Sequence, residues 1–366
     1  NILANCFVML LGISVVLTGL AIALREPMLM FFGASAQTFP YANDYLTIYV
    51  LGTVFAILTA GLNQFITCQG FANEAMLTTV IGAVMNIILD PIFIFVFGLG
   101  VKGAAIATVL SQACSCAFVL WFLFGDRVHV RITFRGYSWR VMRRVLSFGF
   151  CPFIIIAGDS VLIIALNTVL QNYGGAQGDM LIACATIVQS YMQIVTLPLG
   201  GISSGTQPIL SFNYGAKNSD RIRQGEKEIV KLALLFCLTM FIISQTVSGV
   251  FVRLFTQNPE YVQLSVWAIR VFTFGIIPLA LQYAFVDGLT ALGILKVSVS
   301  LSVFRKALFL IFTLVFPMFW GASAAFYAEP VVDIFCGLFS SVVFLSIIGK
   351  ILRRREEMAD GESLYS

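Results

Sequence analysis

Two polar side chains interrupt a long apolar run near residue 90. Asn86 and Asp90 lie four residues apart in the segment Asn86-Ile-Ile-Leu-Asp90-Pro91. On a helix this spacing puts both side chains on one face, where they can share a ligand. Pro91 has no N–H, so the carbonyl of Ile87 loses its helical partner and becomes available to a cation or a water. A carboxylate, an amide and a freed carbonyl together predict a site for Na⁺ or a proton.

The composition identifies the chain as a polytopic membrane protein. Of its 366 residues, 59% are hydrophobic and 11% are charged, and the mean hydropathy is +0.94. Soluble domains carry about 25% charged residues. A carboxylate at bilayer depth is costly unless something stabilises it, so Asp90 is a candidate functional residue. The eight cysteines lie almost all in apolar segments without a CxxC pair, which favours small buried side chains over disulfides or zinc ligands.

Ten segments are long and apolar enough to cross a bilayer as helices, since a span needs about 20 apolar residues. The predicted fold class is therefore all-α. The chain begins at Asn1 with neither a Met nor a signal sequence, and we expect it to be truncated at its front. The ten predicted spans are residues 2–24, 43–67, 75–98, 101–125, 149–173, 180–211, 229–253, 261–292, 296–319 and 322–349.

Basic residues are concentrated between or after these spans. Most of the 22 Lys and Arg residues lie in 126–146, in 213–231 and in the tail from residue 350. Such short clusters between apolar runs make nucleic acid an unlikely partner. Ten alternating helices place all three clusters on one side, which the positive-inside rule makes cytoplasmic. The predicted organisation is an N-terminal lobe (1–125), a basic inter-lobe loop (126–147), a C-terminal lobe (148–350) and a cytoplasmic tail (351–366).

Matching glycines indicate an internal repeat. Aligning Gly103 with Gly321 also aligns Gly70 with Gly288, and the members of each pair are 218 residues apart. In both halves these glycines border or follow long apolar runs. Parallel repeats are typical of secondary transporters, so the pattern predicts two pseudo-symmetric lobes.

Five motifs spread over nearly the whole chain carry a family resemblance. They are Tyr41-Ala-Asn-Asp-Tyr-Leu, Gly82-Ala-Val-Met-Asn-Ile-Ile-Leu-Asp-Pro-Ile-Phe, Gly100-Val-Lys-Gly-Ala-Ala-Ile-Ala-Thr108, Gly205-Thr-Gln-Pro-Ile-Leu-Ser-Phe-Asn-Tyr-Gly-Ala-Lys217 and, more loosely, Gly321 to Asp333. In this order they resemble the MATE (multidrug and toxic compound extrusion) family. The similarity is greatest to its branch of bacterial multidrug exporters.

The resemblance implies twelve helices in two six-helix lobes around a central cavity. This chain resembles helices three to twelve, and the absent first helix normally supplies an acidic residue to the cation site. The rest of that site, position by position, is Asn86, Asp90 and Thr108. Small residues near Thr108 would let helices approach closely and bring its hydroxyl to Asp90. The alternative is a Thr hydroxyl that bonds back to a carbonyl of its own helix.

Other polar residues in the predicted spans are candidates for substrate or proton binding in the cavity. Asp159 and Asp287 could serve this role, or could form structural ion pairs with Arg270 or Arg305. Side-chain amides could donate hydrogen bonds to a cavity, or could join neighbouring helices. The amide candidates are Asn63, Gln64, Gln189 and Gln193.

The sequence contains no catalytic or nucleotide-binding pattern. His129 is the single histidine and lies in the basic loop, and no Gly-rich loop ending in Lys and Ser or Thr is present. The pair Gly200-Gly201 favours a break in its helix over a phosphate cradle. We therefore expect a protein that is not an enzyme, binds no nucleotide, and has no cofactor other than a coupling ion.

The predicted function is a monomeric antiporter of the bacterial cell membrane with a cytoplasmic C-terminus. Na⁺ or H⁺ would drive export of amphipathic organic cations by alternating access, which requires that the ion bind the two states unequally. The alternative is a flippase for a lipid-linked saccharide, which would favour a strongly basic cavity. Away from the span ends, only Arg270, Arg305 and Lys306 lie within spans, which disfavours the flippase.

Overall fold

The structure is a computed structural model that describes residues 2–31, 39–133 and 135–357. These residues are helical almost throughout, as the apolar runs predict; residues 358–366 of the predicted tail lie outside them. The α-helices are α1 (Ile2–Ala23), α2 (Arg25–Phe31), α3 (Phe39–Leu51), α4 (Thr53–Cys68), α5 (Ala72–Pro91), α6 (Gly100–Phe124), α7 (Trp139–Gly174), α8 (Gly178–Gly205), α9 (Gln207–Gly215), α10 (Ser219–Thr246), α11 (Ser248–Val252), α12 (Pro259–Phe272), α13 (Ile276–Ala291), α14 (Leu295–Trp320) and α15 (Ala328–Glu357).

The chain forms two compact units, Asn1–Phe148 and Gly149–Ser366. In the first unit α1 packs on α4, and α6 packs on α3, α4 and α5. Its core includes Leu62, Ile66 and Leu123, which are fully buried. The repeated contacts of α6 make this helix the centre of the first unit.

In the second unit α13 packs on α10, α14 and α15, and α8 packs on α10 and α12. Its largest core cluster includes Leu170, Ile269 and Phe326. Asparagine caps begin two of its helices: the side chain of Asn218 accepts a hydrogen bond from the N–H of Arg221 at the start of α10, and Asn258 caps α12 in the same way. Such caps satisfy backbone donors that have no partner within the helix.

Eight helical stretches of the described residues are long and apolar enough to cross a membrane, and the bent pair α3–α4 raises the number to nine. One stretch, Ile156–Gly215, has 60 residues. At 1.5 Å per residue it would extend about 90 Å, whereas the hydrocarbon core is about 30 Å thick. This stretch therefore has room for two of the ten predicted spans, and the 3-10 turn Gly175–Gln177 separates α7 from α8 within it.

The second predicted span is bent by 48° between α3 and α4. The bend falls at Gly52, and a Cβ added there would lie 2.5 Å from the Cγ2 of Val109 on α6. The missing side chain thus lets α6 approach the bend closely, as small residues do at helix interfaces in membranes.

The predicted break at Gly200-Gly201 is wrong, because α8 continues through both glycines to Gly205. The break comes at Thr206 instead, between α8 and α9. Pro208 explains its place, since it has no N–H to donate to the carbonyl of Ser204 one turn earlier.

The predicted basic loops are shorter than the sequence indicated. Helix α7 already begins at Trp139, and α10 begins at Ser219, so seven of the eleven basic residues of 126–147 and 213–231 lie in helices. Neither Gly nor Pro interrupts 139–148. The helix therefore continues past the end of its apolar run, which a hydropathy pattern alone does not reveal.

The predicted repeat offset of 218 residues does not match the backbone. Gly70 follows the end of α4 and has a φ of +90°, but its predicted equivalent Gly288 lies inside α13. Gly321 has a φ of +81°, but Gly103 lies inside α6. The glycines paired by sequence therefore do not occupy equivalent backbone positions.

An offset of 223 residues matches the two halves. It relates the start of α5 at Ala72 to the start of α14 at Leu295, and the end of α4 at Cys68 to the end of α13 at Ala291. The glycines at equivalent bends and turns are Gly52 and Gly275, Gly70 and Gly293 (φ +90° and +76°), and Gly98 and Gly321 (φ +64° and +81°). The two pseudo-symmetric halves are thus present in a different register.

Candidate cation site

Asn86 and Asp90 lie on the side of α5 that faces the protein. Both are half-buried, and they continue a stripe that includes the buried Thr78 two turns earlier. The intervening Ile87 and Ile88 are 71% and 51% exposed. The apolar side of α5 is therefore available to lipid, and the polar pair is directed away from it.

The carboxylate of Asp90 is held by a neutral group. Asn86 Nδ2 donates to Asp90 Oδ1 at 3.4 Å. In the described part of the chain, no basic nitrogen lies within the 4.0 Å of an ion pair with Asp90. Carboxylate and amide oxygens are ligands that suit a hard cation. The pair therefore keeps the chemical groups from which a site for Na⁺ or a proton is predicted.

The backbone changes immediately after Asp90. Pro91 ends α5, and Ile92–Val96 forms a π-helical segment in which Phe97 N–H donates to the carbonyl of Ile92 at 2.9 Å. Short π segments are rare and are frequent at functional sites. The predicted disturbance of the helix by Pro91 thus appears as a widened turn beside the carboxylate.

Helix α6 approaches this widened turn through a glycine. A Cβ added to Gly103 would lie 2.5 Å from the carbonyl oxygen of Phe93, so any larger residue would push the two backbones apart. Thr108 lies further along α6 and donates its hydroxyl to the carbonyl of Ala104 at 2.9 Å. The structure therefore shows the bond back to its own helix, and the lone pairs of the hydroxyl remain as acceptors.

Two side-chain amides of the first unit hold the basic segment that follows α6. The Gln69 side chain accepts from the N–H of Val130 at 2.7 Å and donates to its carbonyl at 3.3 Å. The Asn5 side chain likewise donates to the carbonyl of Gly136 and accepts from the N–H of Ser138. Both amides therefore hold the segment against the end of the first unit at which α1 begins and α4 ends.

Asp90 lies at the opposite end of α5 from this basic segment. It comes 18 residues after the first residue of α5, Ala72, which at 1.5 Å per residue is about 27 Å along the helix axis. The candidate site and the basic segment of the first unit are therefore separated by nearly the thickness of the hydrocarbon core.

The four amide candidates are distributed over two helices. On α4, Asn63 Nδ2 donates to the carbonyl of Ala75 at 3.1 Å and so joins α4 to α5, while Gln64 is exposed. Ala75 is 15 residues before Asp90, about 22 Å along α5, so Asn63 is not part of the Asp90 site. On α8, Gln189 is half-buried and Gln193 is exposed.

The two acidic candidates of the second unit do not pair with Arg270 or Arg305, contrary to the ion-pair alternative. Asp159 forms its ion pair with Lys306 on α14. Asp287 accepts a hydrogen bond from the hydroxyl of Ser203, with 2.5 Å between Oδ2 and Oγ. The partners lie 147 and 84 residues away in the sequence, beyond the reach of any local pattern.

Arg305 instead forms a network with two carboxylates of α15. Its Nη2 lies 2.5 Å from Glu329 Oε1 and 2.6 Å from Asp333 Oδ1, and its Nε donates to the same Asp333 oxygen at 3.0 Å. Asp333 is fully buried. Acidic residues four apart on one helix, such as Glu329 and Asp333, are therefore neutralised here by a basic residue of the neighbouring helix α14.

Sequence reasoning missed Glu226, a buried carboxylate on α10. It stands in the basic segment 213–231, yet it lies between Ile222 and Ile229 on the buried stripe of the helix and is 6% exposed. An acid at a helical spacing of four and three from apolar residues was the signal that could have found it.

Residues 1–92 and 156–315 match the model of the MatE family. Over 356 residues the chain is 24% identical to the multidrug export protein MepA of Staphylococcus aureus (strain MSSA476), covering 96% of this chain and 77% of that protein. This match extends over the same stretch as the motifs found in the sequence.

Solved structures show the same fold. One is the outward-facing conformation of a multidrug resistance MATE family transporter of the MOP superfamily, with a TM-score of 0.89, 22% identity and coverage of 96% and 79% of the two chains. Another is a MOP superfamily transporter from Pyrococcus furiosus Vc1 (DSM3638), whose reversed binding-pocket polarity suggests a different function; its TM-score is 0.89 at 21% identity, with the same coverage. Since the family match covers more than half of the residues, the chain belongs to the MatE family of multi-pass membrane transporters and is not an enzyme.

Proposed function

We propose that this chain is a cation-coupled multidrug exporter in which Asp90 and Asn86 bind the coupling ion, Na⁺ or H⁺. The observation that supports it best is the state of Asp90: a half-buried carboxylate in a spanning helix, held by one neutral amide and with no basic partner among the described residues. A carboxylate in such a setting is stabilised when it binds a proton or a metal cation.

The coupling step requires that the ion favour one conformational state over the other. The π-helical segment Ile92–Val96 directly follows the carboxylate and is the element on which ion binding would act. Thr108 on α6 would contribute an oxygen ligand when the two helices close on the ion, since its hydroxyl retains acceptor capacity. Binding would then change the packing of α5 on α6.

Amphipathic organic cations are the proposed cargo, and the chain would act as a monomer in the bacterial cell membrane. The name of the staphylococcal relative, a multidrug export protein, supports this cargo. Asp159, Gln189 and Gln193 in the second unit remain candidates for contacts with it. Asp287 accepts the hydrogen bond from Ser203 and is a weaker candidate for direct substrate contact.

The proposed orientation places the C-terminus in the cytoplasm. Arg355 near the end of α15 donates from Nε to the carbonyl of Tyr214 at 3.2 Å, and its guanidinium lies 5.6 Å from the centre of the Tyr214 ring. This contact brings the two basic segments of the second unit to one end. By the positive-inside rule that end faces the cytoplasm.

A flippase for a lipid-linked saccharide receives little support. Such a protein would need free cations to bind phosphates, yet two of the three basic residues that lie away from the ends of the predicted spans, Arg305 and Lys306, are ion-paired. Only Arg270 among the three is exposed.

The test is transport by the purified protein in proteoliposomes. With an inward-directed Na⁺ or H⁺ gradient and no ATP, ethidium should move against its gradient, and ionophores that dissipate the ion gradient should abolish the movement. A strict requirement for ATP, or movement of a lipid-linked saccharide without any movement of ethidium, would overturn the proposal.

A further inference from the structure

The second unit contains a buried carboxylate that the site described above does not use. Glu226 lies on the buried stripe of α10 and is 6% exposed. Its Oε1 is fully shielded and has no hydrogen-bond partner. An ionised carboxylate in this position would carry a large desolvation cost, so something must neutralise it.

Glu226 packs directly on the helix that carries Asp287. A Cβ added to Gly288 would lie 2.8 Å from both carboxylate oxygens of Glu226, so the carboxylate rests on the bare backbone of α13 at the residue after Asp287. Asp287 directly precedes Gly288 on α13, and its negative charge acts on Glu226. Two carboxylates on neighbouring backbone, of which Glu226 is buried and Asp287 half-buried, cannot both ionise without a penalty.

The third member of the cluster is a hydroxyl. Ser203, in the last turn of α8, donates to Asp287 Oδ2 at 2.5 Å. This bond satisfies one oxygen of Asp287 and leaves Glu226 without a donor. The side chain of Gln207 on α9 is a second hydrogen-bond partner of Asp287, so the acceptor that still lacks a donor is Oε1 of Glu226.

Basic residues do not fill this need within the described part of the chain. Neither carboxylate has an ion pair there, and the basic neighbours of Glu226 on α10, Arg223 and Lys227, are exposed. The charged group that acts on Glu226 from α13 is Asp287, and α8 contributes the neutral Ser203. Helix α9 contributes the neutral side chain of Gln207, which bonds to Asp287, and α15 carries Arg355, which donates to the carbonyl of Tyr214. The other residues of α9 and α15 near Glu226 are apolar, and α11 and α12 lie toward the other end of α10.

We propose that Glu226, Asp287 and Ser203 form a proton-binding site in which the two carboxylates together hold one exchangeable proton. The proton supplies the missing donor and removes one of the two negative charges. The site is separate from Asp90 and does not depend on its role. At the 223-residue offset the counterparts of Glu226 and Asp287 are Leu3 and Gln64, so the first unit has no equivalent.

The site lies next to the junction of α8 with α9, so loss of the proton would affect this junction. Ser203 is three residues before Thr206, where α8 breaks into α9, and Ser211 on α9 donates to the carbonyl of Ala291 at the end of α13. Loss of the proton would place a second negative charge between α8, α10 and α13. The junction of α8 with α9 is therefore the element that would respond to it.

The test is infrared titration of the purified protein in lipid nanodiscs between pH 5 and pH 9, in buffer without Na⁺. The wild type should show a carboxylic acid C=O band that disappears as the pH rises. Glu226→Gln should remove this band, and Asp287→Asn should move its midpoint by about one pH unit or more, because the two groups titrate together. Glu228→Gln on the same helix is the matched control, since Glu228 is exposed and pairs with Lys231, and it should leave the band unchanged.

Ser203→Ala keeps the test decisive if Glu226→Gln does not fold. It leaves both carboxylates in place and removes only the donor to Asp287, so the midpoint of the band should rise, because the ionised form of the pair loses a hydrogen bond. A band that Glu226→Gln leaves intact, a midpoint that Ser203→Ala does not move, or the absence of any titrating band would overturn the proposal. Loss of the band on addition of Na⁺ at constant pH would replace the proton by a metal cation and would equally overturn it.

Discussion

Asn86 donates to Asp90 across one helical turn, with 3.4 Å between Nδ2 and Oδ1. This is longer than the 2.9–3.0 Å that is usual for an N–H···O bond. The amide therefore orients the carboxylate without neutralising it. We infer a division of roles in which Asp90 determines whether the ion binds and Asn86 adjusts how tightly.

Close contact at Gly103 is expected to be necessary for the site. Gly103→Ala would place a Cβ 2.5 Å from the carbonyl oxygen of Phe93, and backbone cannot move aside as a flexible side chain can. We expect a loss of about 1–3 kcal/mol in stability, as for overpacked cores, together with reduced ion-driven transport. Thermal unfolding in detergent and proteoliposome transport measure the two effects.

Gly12→Ala on α1 is the control for this substitution. Gly12 is also helical, but a Cβ there meets nothing within 4 Å. Alanine should therefore leave stability unchanged or raise it slightly, because it favours the helix. Equal unfolding temperatures for Gly103→Ala and the wild type would show that α5 and α6 do not pack as described.

The network of Arg305 is expected to be structural. Arg305→Gln leaves the carboxylates of Glu329 and Asp333 without a cation, and removal of one partner of a buried ion pair costs about 3–5 kcal/mol. The unfolding temperature should fall sharply, and Asp333→Asn added to the same variant should restore part of it. Arg270→Gln, at an exposed arginine, is the control and should have little effect. A stable Arg305→Gln protein would contradict the assignment.

The orientation can be checked by labelling single cysteines in a cysteine-free background. Cysteines introduced near Arg140, Lys217 and Arg354 should react only after the cells are made permeable, because these basic segments are expected in the cytoplasm. A cysteine placed near Leu99, at the end of α5 that carries Asp90, should react from outside. Labelling of any of the three basic segments in intact cells would invert the orientation.

The sequence predicted that Asn86 and Asp90 share one face of a disturbed helix, because this information is local. A carboxylate and an amide four apart, followed by Pro91, already determine a shared face and a disturbed helix. The partners of Asp159 and Asp287 depended on how distant helices pack, and no spacing rule relates residues 147 or 84 positions apart. Glu226 was not predicted because it stands among basic residues in the sequence, whereas its position on the apolar stripe of α10 depends on the helical spacing.

The offset of the internal repeat also could not be predicted from local sequence patterns. Glycine pairs at an offset of 218 were chosen by residue type, whereas equivalence depends on backbone conformation. Gly70 and Gly293 both follow the end of a helix with positive φ, which the letters alone do not show. At the correct offset Asn86 and Asp90 correspond to Phe309 and Thr313, so the candidate cation site belongs to the first half only.

The substitution Asp90→Asn tests the central claim most directly, because it removes the charge at nearly constant volume. Folding should survive, since a neutral amide is cheaper to bury than an unpaired carboxylate. Asn86→Ala should weaken ion affinity more mildly, and Asp126→Asn, at a 94% exposed carboxylate that pairs with Arg131, is the control. The measurement is ion-driven ethidium transport in proteoliposomes, recorded beside thermal stability. The account predicts a stable Asp90→Asn protein with transport at background and an unchanged Asp126→Asn control; a stable Asp90→Asn protein that transports normally would contradict it.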